Sequence, residues 1–264
     1  MVTSFKYRQV AITGILVSFV LAVLSVALPA DGRNASATDR VTENEKQEVA
    51  AQLATLFRSA RAVISENQAL INDETKGDKG LTGEFVVERT KENYAKAAGT
   101  ALNTADDSLS GRAVAAMLES VESVMNDAQP LINEKGKGFK GFLPAIFAKQ
   151  VADTFTTKMK GSMAIKLTAP KSYVRNRANR PDSWEHDVLE QNFKSPDWVN
   201  GEPHFEQVDY EGTGAFRFIL PEYYKESCLK CHGGPKGELD VTGGKKEGGV
   251  LGELGGAISV VIFD

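Results

Sequence analysis

The stretch Phe155-Thr156-Thr157-Lys158-Met159-Lys160-Gly161-Ser162-Met163-Ala164-Ile165-Lys166-Leu167-Thr168-Ala169-Pro170 is where the chain changes its period. Up to Lys160, apolar residues recur at helical spacing. After Gly161 they alternate, and Met163, Ile165 and Leu167 share one face of a strand that Pro170 ends. Helices therefore come first and a sheet follows. The fold class is α+β.

Upstream, Val49, Leu53, Leu56, Ala60, Val63 and Leu70 form one stripe, and Val114, Leu118, Val121, Met125, Ala128 and Ile132 form another. A third helix is expected from Pro144, acceptable in a first turn, to just before Gly161. The stripes belong to an internal repeat. Gln68–Gly80 matches Gln129–Gly141 at eight of thirteen positions, an offset of 129 − 68 = 61. The flanks keep that offset, with Val63 on Val124 and Tyr94 on Phe155. This reads as two copies of a helix–loop–helix hairpin, 41–112 and 113–160, packed as a bundle. Downstream, 161–264 is expected to form an antiparallel sheet. Its strands are placed at 204–210, 215–220 and 257–263, the last nearly all apolar and so central. A short helix after Pro181 has Asp182 and Glu185 in capping-box relation. The Gly- and Lys-rich stretch 233–256 is a long loop.

Cys228-Leu229-Lys230-Cys231-His232 holds both cysteines of the chain and one of its three histidines. C-x-x-C-H is the spacing of covalent c-type haem attachment: two thiols each join a vinyl group, and the adjacent imidazole binds the iron. Two other chemistries use C-x-x-C. A structural zinc site would need four protein ligands, and a thiol–disulfide pair normally opens a helix in a βαβ unit. His186 and His204 are the remaining histidines.

The N-terminus bears on the choice. Lys6 and Arg8 precede an apolar run from Val10 to Leu28, and the first acidic residue is Asp31. Residues 1–30 thus read as a signal peptide or an N-terminal membrane anchor spanning 10–28, with the body periplasmic or otherwise extracytoplasmic. Without that segment the remaining 264 − 30 = 234 residues carry −4 − 2 = −6, which gives no reason to bind nucleic acid.

Four stretches together resemble the Tll0287-like (DUF3365) domain family: Arg175–Glu185 (RNRANRPDSWE), Pro221–Tyr224, Cys228–Pro235 and Gly255–Ser259. The resemblance covers roughly Val114 to Asp264 and leaves the first hairpin copy outside. It implies a PAS-like sheet with one covalently bound c-type haem, found alone or as the sensor part of larger receptors. Some members ligate the iron's sixth position with a helix cysteine, which is impossible here because both cysteines lie in the attachment motif. Met125, near the family position of that ligand, is the first distal candidate, and Met159 and Met163 follow. His186 reads as an exposed surface residue and His204 as structural or solvated. Arg175, Arg177 and Arg217 are candidates for the haem propionates. Asn176 and Asn179 suit backbone turns. Phe216, Phe218 and Tyr224 could line the porphyrin or fill the core.

Nothing in the motifs points to hydrolysis, so no enzymatic role is expected. Three functions stay open. One is a redox or small-ligand (gas) sensing or binding module that needs a signalling partner. Another is a periplasmic electron-transfer cytochrome with a redox partner. The last is a non-haem interaction protein with a Cys228–Cys231 disulfide.

Overall fold

The computed structural model describes residues 41–103 and 107–264. The apolar run 10–28 lies outside them, and among the described residues no helix is long and apolar enough to cross a membrane. In chain order come α1 (Glu43–Glu66), α2 (Gln68–Ile71), α3 (Gly83–Ala98), α4 (Leu109–Ile132), α5 (Pro144–Lys158) and β1 (Met163–Thr168). They are followed by α6 (Ser183–Asp187), β2 (His204–Tyr210), β3 (Thr213–Tyr223), α7 (Glu226–His232) and β4 (Leu254–Phe263). The protein is α+β.

Thr42 starts α1 with a full capping box: its hydroxyl accepts from Glu45 N, and the Glu45 carboxylate accepts from Thr42 N at 2.7 Å. The first stripe breaks once. At Asn67 the side-chain amide donates to Val63 O at 2.8 Å, competing with the helix ladder, so Leu70 falls on the separate turn α2. The second stripe stays helical through Pro130, which stands in the last turn of α4. There the missing N–H costs one bond rather than the helix.

Positions that match at the repeat offset make matching bonds across the bundle. Asn133 Oδ1 accepts from Lys79 N at 3.0 Å, and Asn72 Oδ1 accepts from Lys140 N at 3.1 Å. Gln68 Nε2 donates to Phe142 O at 3.1 Å, and Gln129 Nε2 donates to Leu81 O at 2.9 Å. Lys79 and Lys140, both buried, turn their ammonium groups onto carbonyls of their own loops, Asp73 and Lys76 for one, Glu134 and Lys137 for the other.

The sheet is antiparallel in the order β1-β4-β3-β2. β4 is central, as its apolar sequence requires. β3 runs further than its alternation suggests, through Pro221 to Tyr223. Pairing with β2 ends at Ile219↔His204, so by Pro221 only the β4 side is engaged and no ladder bond needs the absent N–H. One face of the sheet (Ile165, Phe216, Phe218, Leu220, Ile258, Val260, Ile262) joins the helices in a single core. α1 lies on β3 and β4, α5 on β1, and α4 packs against α1, α3 and α5. The other face carries a smaller cluster of Val188, Leu189, Phe193, Ile219, Leu254 and Ala257. Beside it Arg217 is buried, paired with Asp182 at 2.7 Å and Glu185 at 3.3 Å, its guanidinium 4.3 Å from the Trp184 ring centre. The capping box of Asp182 and Glu185 is present at the start of α6.

Candidate functional site

β3 delivers the chain to Tyr224, whose N–H donates to Glu253 O and whose carbonyl accepts from Gly252 N, both at 2.9 Å. The Tyr224 ring is buried between the backbones of Gly249 and Gly255, and a Cβ on either would be driven into it. These two glycines are required by that close approach. Tyr173 lies alongside, ring centres 6.0 Å apart, and its hydroxyl donates to Glu253, which pushes the phenol pKa up to about 12. Burial pushes the Tyr224 hydroxyl up as well.

After Lys225 the C-x-x-C-H stretch is helical. Cys228 and Cys231 stand three positions apart on α7, the spacing that puts both side chains on one face; both are half-buried and free. Burial and the nearby Asp240 push the Cys231 thiol up, the opposite of what a thiol-exchange cysteine needs. Among the described residues no three His, Cys, Asp or Glu side chains converge as metal ligands, which a zinc site built on these thiols would require.

His232 closes α7 and is fixed on two sides. Its ring stacks on Tyr224 with centres 5.5 Å apart and planes 19° apart, and its Nδ1 is 2.9 Å from Glu247 Oε2. Glu247 is itself held by Arg175, through Nε at 2.5 Å and Nη2 at 3.0 Å. The same guanidinium donates to Asp240 at 2.5 Å and to the Cys231 carbonyl at 2.6 Å. Burial works against the charge on Glu247, but hydrogen bonds from Arg175 and His232 outweigh it and hold the carboxyl below its ordinary range. Asp240 is held well below its own: burial again opposes, and Thr242 and Arg175 prevail. The backbone finishes the wrap, Gly249 N donating to His232 O at 2.8 Å.

The segment is polar inside and apolar outside. Leu239, Val241, Val250 and Leu251 are 63%, 72%, 61% and 61% exposed, an inverted arrangement for a stretch this well hydrogen-bonded. On the other flank Glu222, two residues before Tyr224, is gripped by α1: Arg58 pairs with it and Arg61 Nη1 is 3.0 Å away.

The structure gathers Cys228, Cys231, His232, Tyr224 and Arg175. Arg175 serves Glu247 and Asp240 rather than standing free, and Arg217 lies six residues back along β3 from Tyr223, about 20 Å at strand rise, committed to Asp182 and Glu185. Arg177 is exposed; Asn176 Oδ1 accepts from Ala178 N at 3.0 Å, the turn role expected of it. Phe216 and Phe218 are core. Met125 is fully buried among the helices, and the contacts that seat His232 come from Tyr224, Glu247 and Gly249, none of them on α4. Met159 and Met163 sit where β1 pairs with the far end of β4, about 26 Å along the strand from Leu254. His186 is not the exposed residue the helix pattern suggests: it is half-buried, with its Nδ1 removed from water, on α6 just ahead of a π-helical turn at 188–192. His204 is structural, between the rings of Trp184 and Trp198, with burial lowering its pKa.

A family model described as Tll0287-like matches residues 37–262. The chain belongs to the Tll0287-like family. No curated protein and no solved structure matches it. The Tll0287-like match starts ahead of α1, so the family includes the first hairpin, which the motifs of the C-terminal half had left outside. Glu247, Asp240, Glu253 and Glu222 are the site residues that sequence reasoning missed. Three of the four lie in or beside the glycine-rich loop, where no periodicity marks an inward-facing position.

Proposed function

We propose that the chain is an extracytoplasmic protein carrying one c-type haem on Cys228, Cys231 and His232, acting as a redox or small-ligand sensing module. The observation that carries this is the seating of His232. Nδ1 is committed to Glu247, while Nε2 makes no hydrogen bond among the described residues and stays available to a metal. Two free thiols stand beside it, and the four exposed aliphatic side chains of the following segment offer an apolar cover for a porphyrin. A haem bound there supplies an iron whose oxidation state and remaining coordination position respond to the surroundings. The chain's own residues supply the attachment, the ring orientation and the exclusion of water by Tyr224. The apolar run at 10–28 supports export, which covalent attachment needs.

Sensing is favoured over electron carriage by the grip on Glu222. α7, Tyr224 and Glu222 follow one another in the chain, and Arg58 and Arg61 tie Glu222 to α1. A displacement at the haem helix therefore reaches the long first helix by one ion-pair network, in the manner of a PAS-like sensor sheet. Binding rather than turnover is the role proposed.

Protein exported and matured with a cytochrome c assembly system is expected to keep its Soret band after denaturation, and Cys228→Ala with Cys231→Ala to lose it. A colourless wild-type protein would overturn the reading. Rapid CO or NO binding by the ferrous form supports sensing, and inertness to both favours an electron carrier.

A further inference from the structure

We infer that Glu247 orients His232 and feeds negative charge into its ring, with Arg175 as the brace that keeps Glu247 in place. The inference rests on the haem reading above and assigns a role to residues outside the attachment motif. An imidazole that binds iron through one nitrogen is directed by what the other nitrogen donates to. Here that acceptor is a carboxylate at 2.9 Å rather than a backbone carbonyl. Glu247 has no freedom to swing away: Arg175 holds it through both Nε and Nη2, and its side chain is only 8% exposed.

The brace is also placed to leave charge behind. Arg175 is shared between Glu247 and Asp240, so the three side chains sum to +1 − 2 = −1. That residual charge faces the ring N–H of His232. It makes the imidazole a stronger donor to the metal, which stabilises the ferric over the ferrous state and lowers the reduction potential. The same guanidinium bonds the Cys231 carbonyl at 2.6 Å, so one arginine ties the orienting carboxylate to the helix that bears the thiols. A surface loop staple would need none of this convergence.

The experiment is a spectroelectrochemical titration of the matured holoprotein, its Glu247→Gln variant and its Glu247→Ala variant. Gln keeps an oxygen acceptor at the same reach and removes the charge. The ferrous-to-ferric ratio at a fixed potential is expected to rise about tenfold in Glu247→Gln, a positive shift of about 59 mV for one electron. Glu247→Ala is expected to shift at least as far. Potentials unchanged in both fully loaded variants would reduce Glu247 to a loop contact and overturn the inference. Should both variants fail to fold, the wild type decides by proton NMR: slow solvent exchange of the His232 ring N–H supports the carboxylate bond, and fast exchange refutes it. Failure of the haem reading itself is seen separately, as a colourless wild type before any variant is made.

Discussion

The core between helices and sheet and the segment from Lys225 to Glu253 are held by opposite means. In the core, Phe57, Phe147, Phe155, Phe216 and Phe218 are wholly removed from water, and the buried hydroxyls of Thr90 and Ser120 are satisfied by carbonyls of their own helices. In the segment, charged side chains turn inward on Arg175 and His232 while four aliphatic side chains face solvent. The first region is complete as a piece of hydrophobic packing. The second is a polar frame with aliphatic side chains on its outer side, the arrangement that suits the haem proposed for it.

That contrast can be broken in order of effect. The largest change is expected from Cys228→Ser with Cys231→Ser, which removes the anchors proposed for the haem: the segment becomes the preferred site of limited proteolysis while far-ultraviolet circular dichroism keeps its helix and sheet signal. Loss of the core signal together with the segment would erase the distinction. Phe218→Ala, in the core, should cost about 3–5 kcal/mol in urea unfolding and leave covalent haem attachment intact. Met125→Ala should cost about 2–5 kcal/mol with the oxidised spectrum unchanged. Disappearance of a weak band at the red end of that spectrum would instead make Met125 the sixth iron ligand.

Glu222 joins the two regions and gives a smaller, pH-dependent effect. Burial raises its pKa, but Arg61 and Arg58 lower it further, and the net folded value is below the ordinary one. Its contribution to stability is therefore present above the unfolded carboxyl pKa of about 4.3 and is lost as pH falls from there through the folded value. Acid titrations of wild type and Glu222→Gln should differ near neutrality and converge at low pH; parallel curves would show that the ion pairs contribute nothing. Thr42→Ala, which removes only the α1 cap, should cost about 1 kcal/mol and leave the segment from Lys225 to Glu253 untouched.

What could be read from the chain follows the same division. The core was legible because burial imposes a period: the stripe from Val114 to Ile132 became α4, and Met163, Ile165 and the apolar run at 257–263 became β1 and β4. The misreadings in that half were local. Asn67 broke a helix by bonding its own backbone, and Pro221 continued a strand because its partner strand had already ended. In the segment from Lys225 to Glu253 only the C-x-x-C-H motif itself was legible. Glu247 reaches His232 from fifteen positions away and Arg175 reaches the Cys231 carbonyl from fifty-six, through bonds that depend on turns rather than periodicity. Arg175 was visible as a functional arginine, but its partners were not.

The crossed bonds between the two hairpin loops have a consequence of another kind. Since Asn72 Oδ1 accepts from Lys140 N and Asn133 Oδ1 accepts from Lys79 N, each loop closes on the helix end that precedes the other, and an insertion in either one draws its lysine N–H away from an acceptor the other side provides.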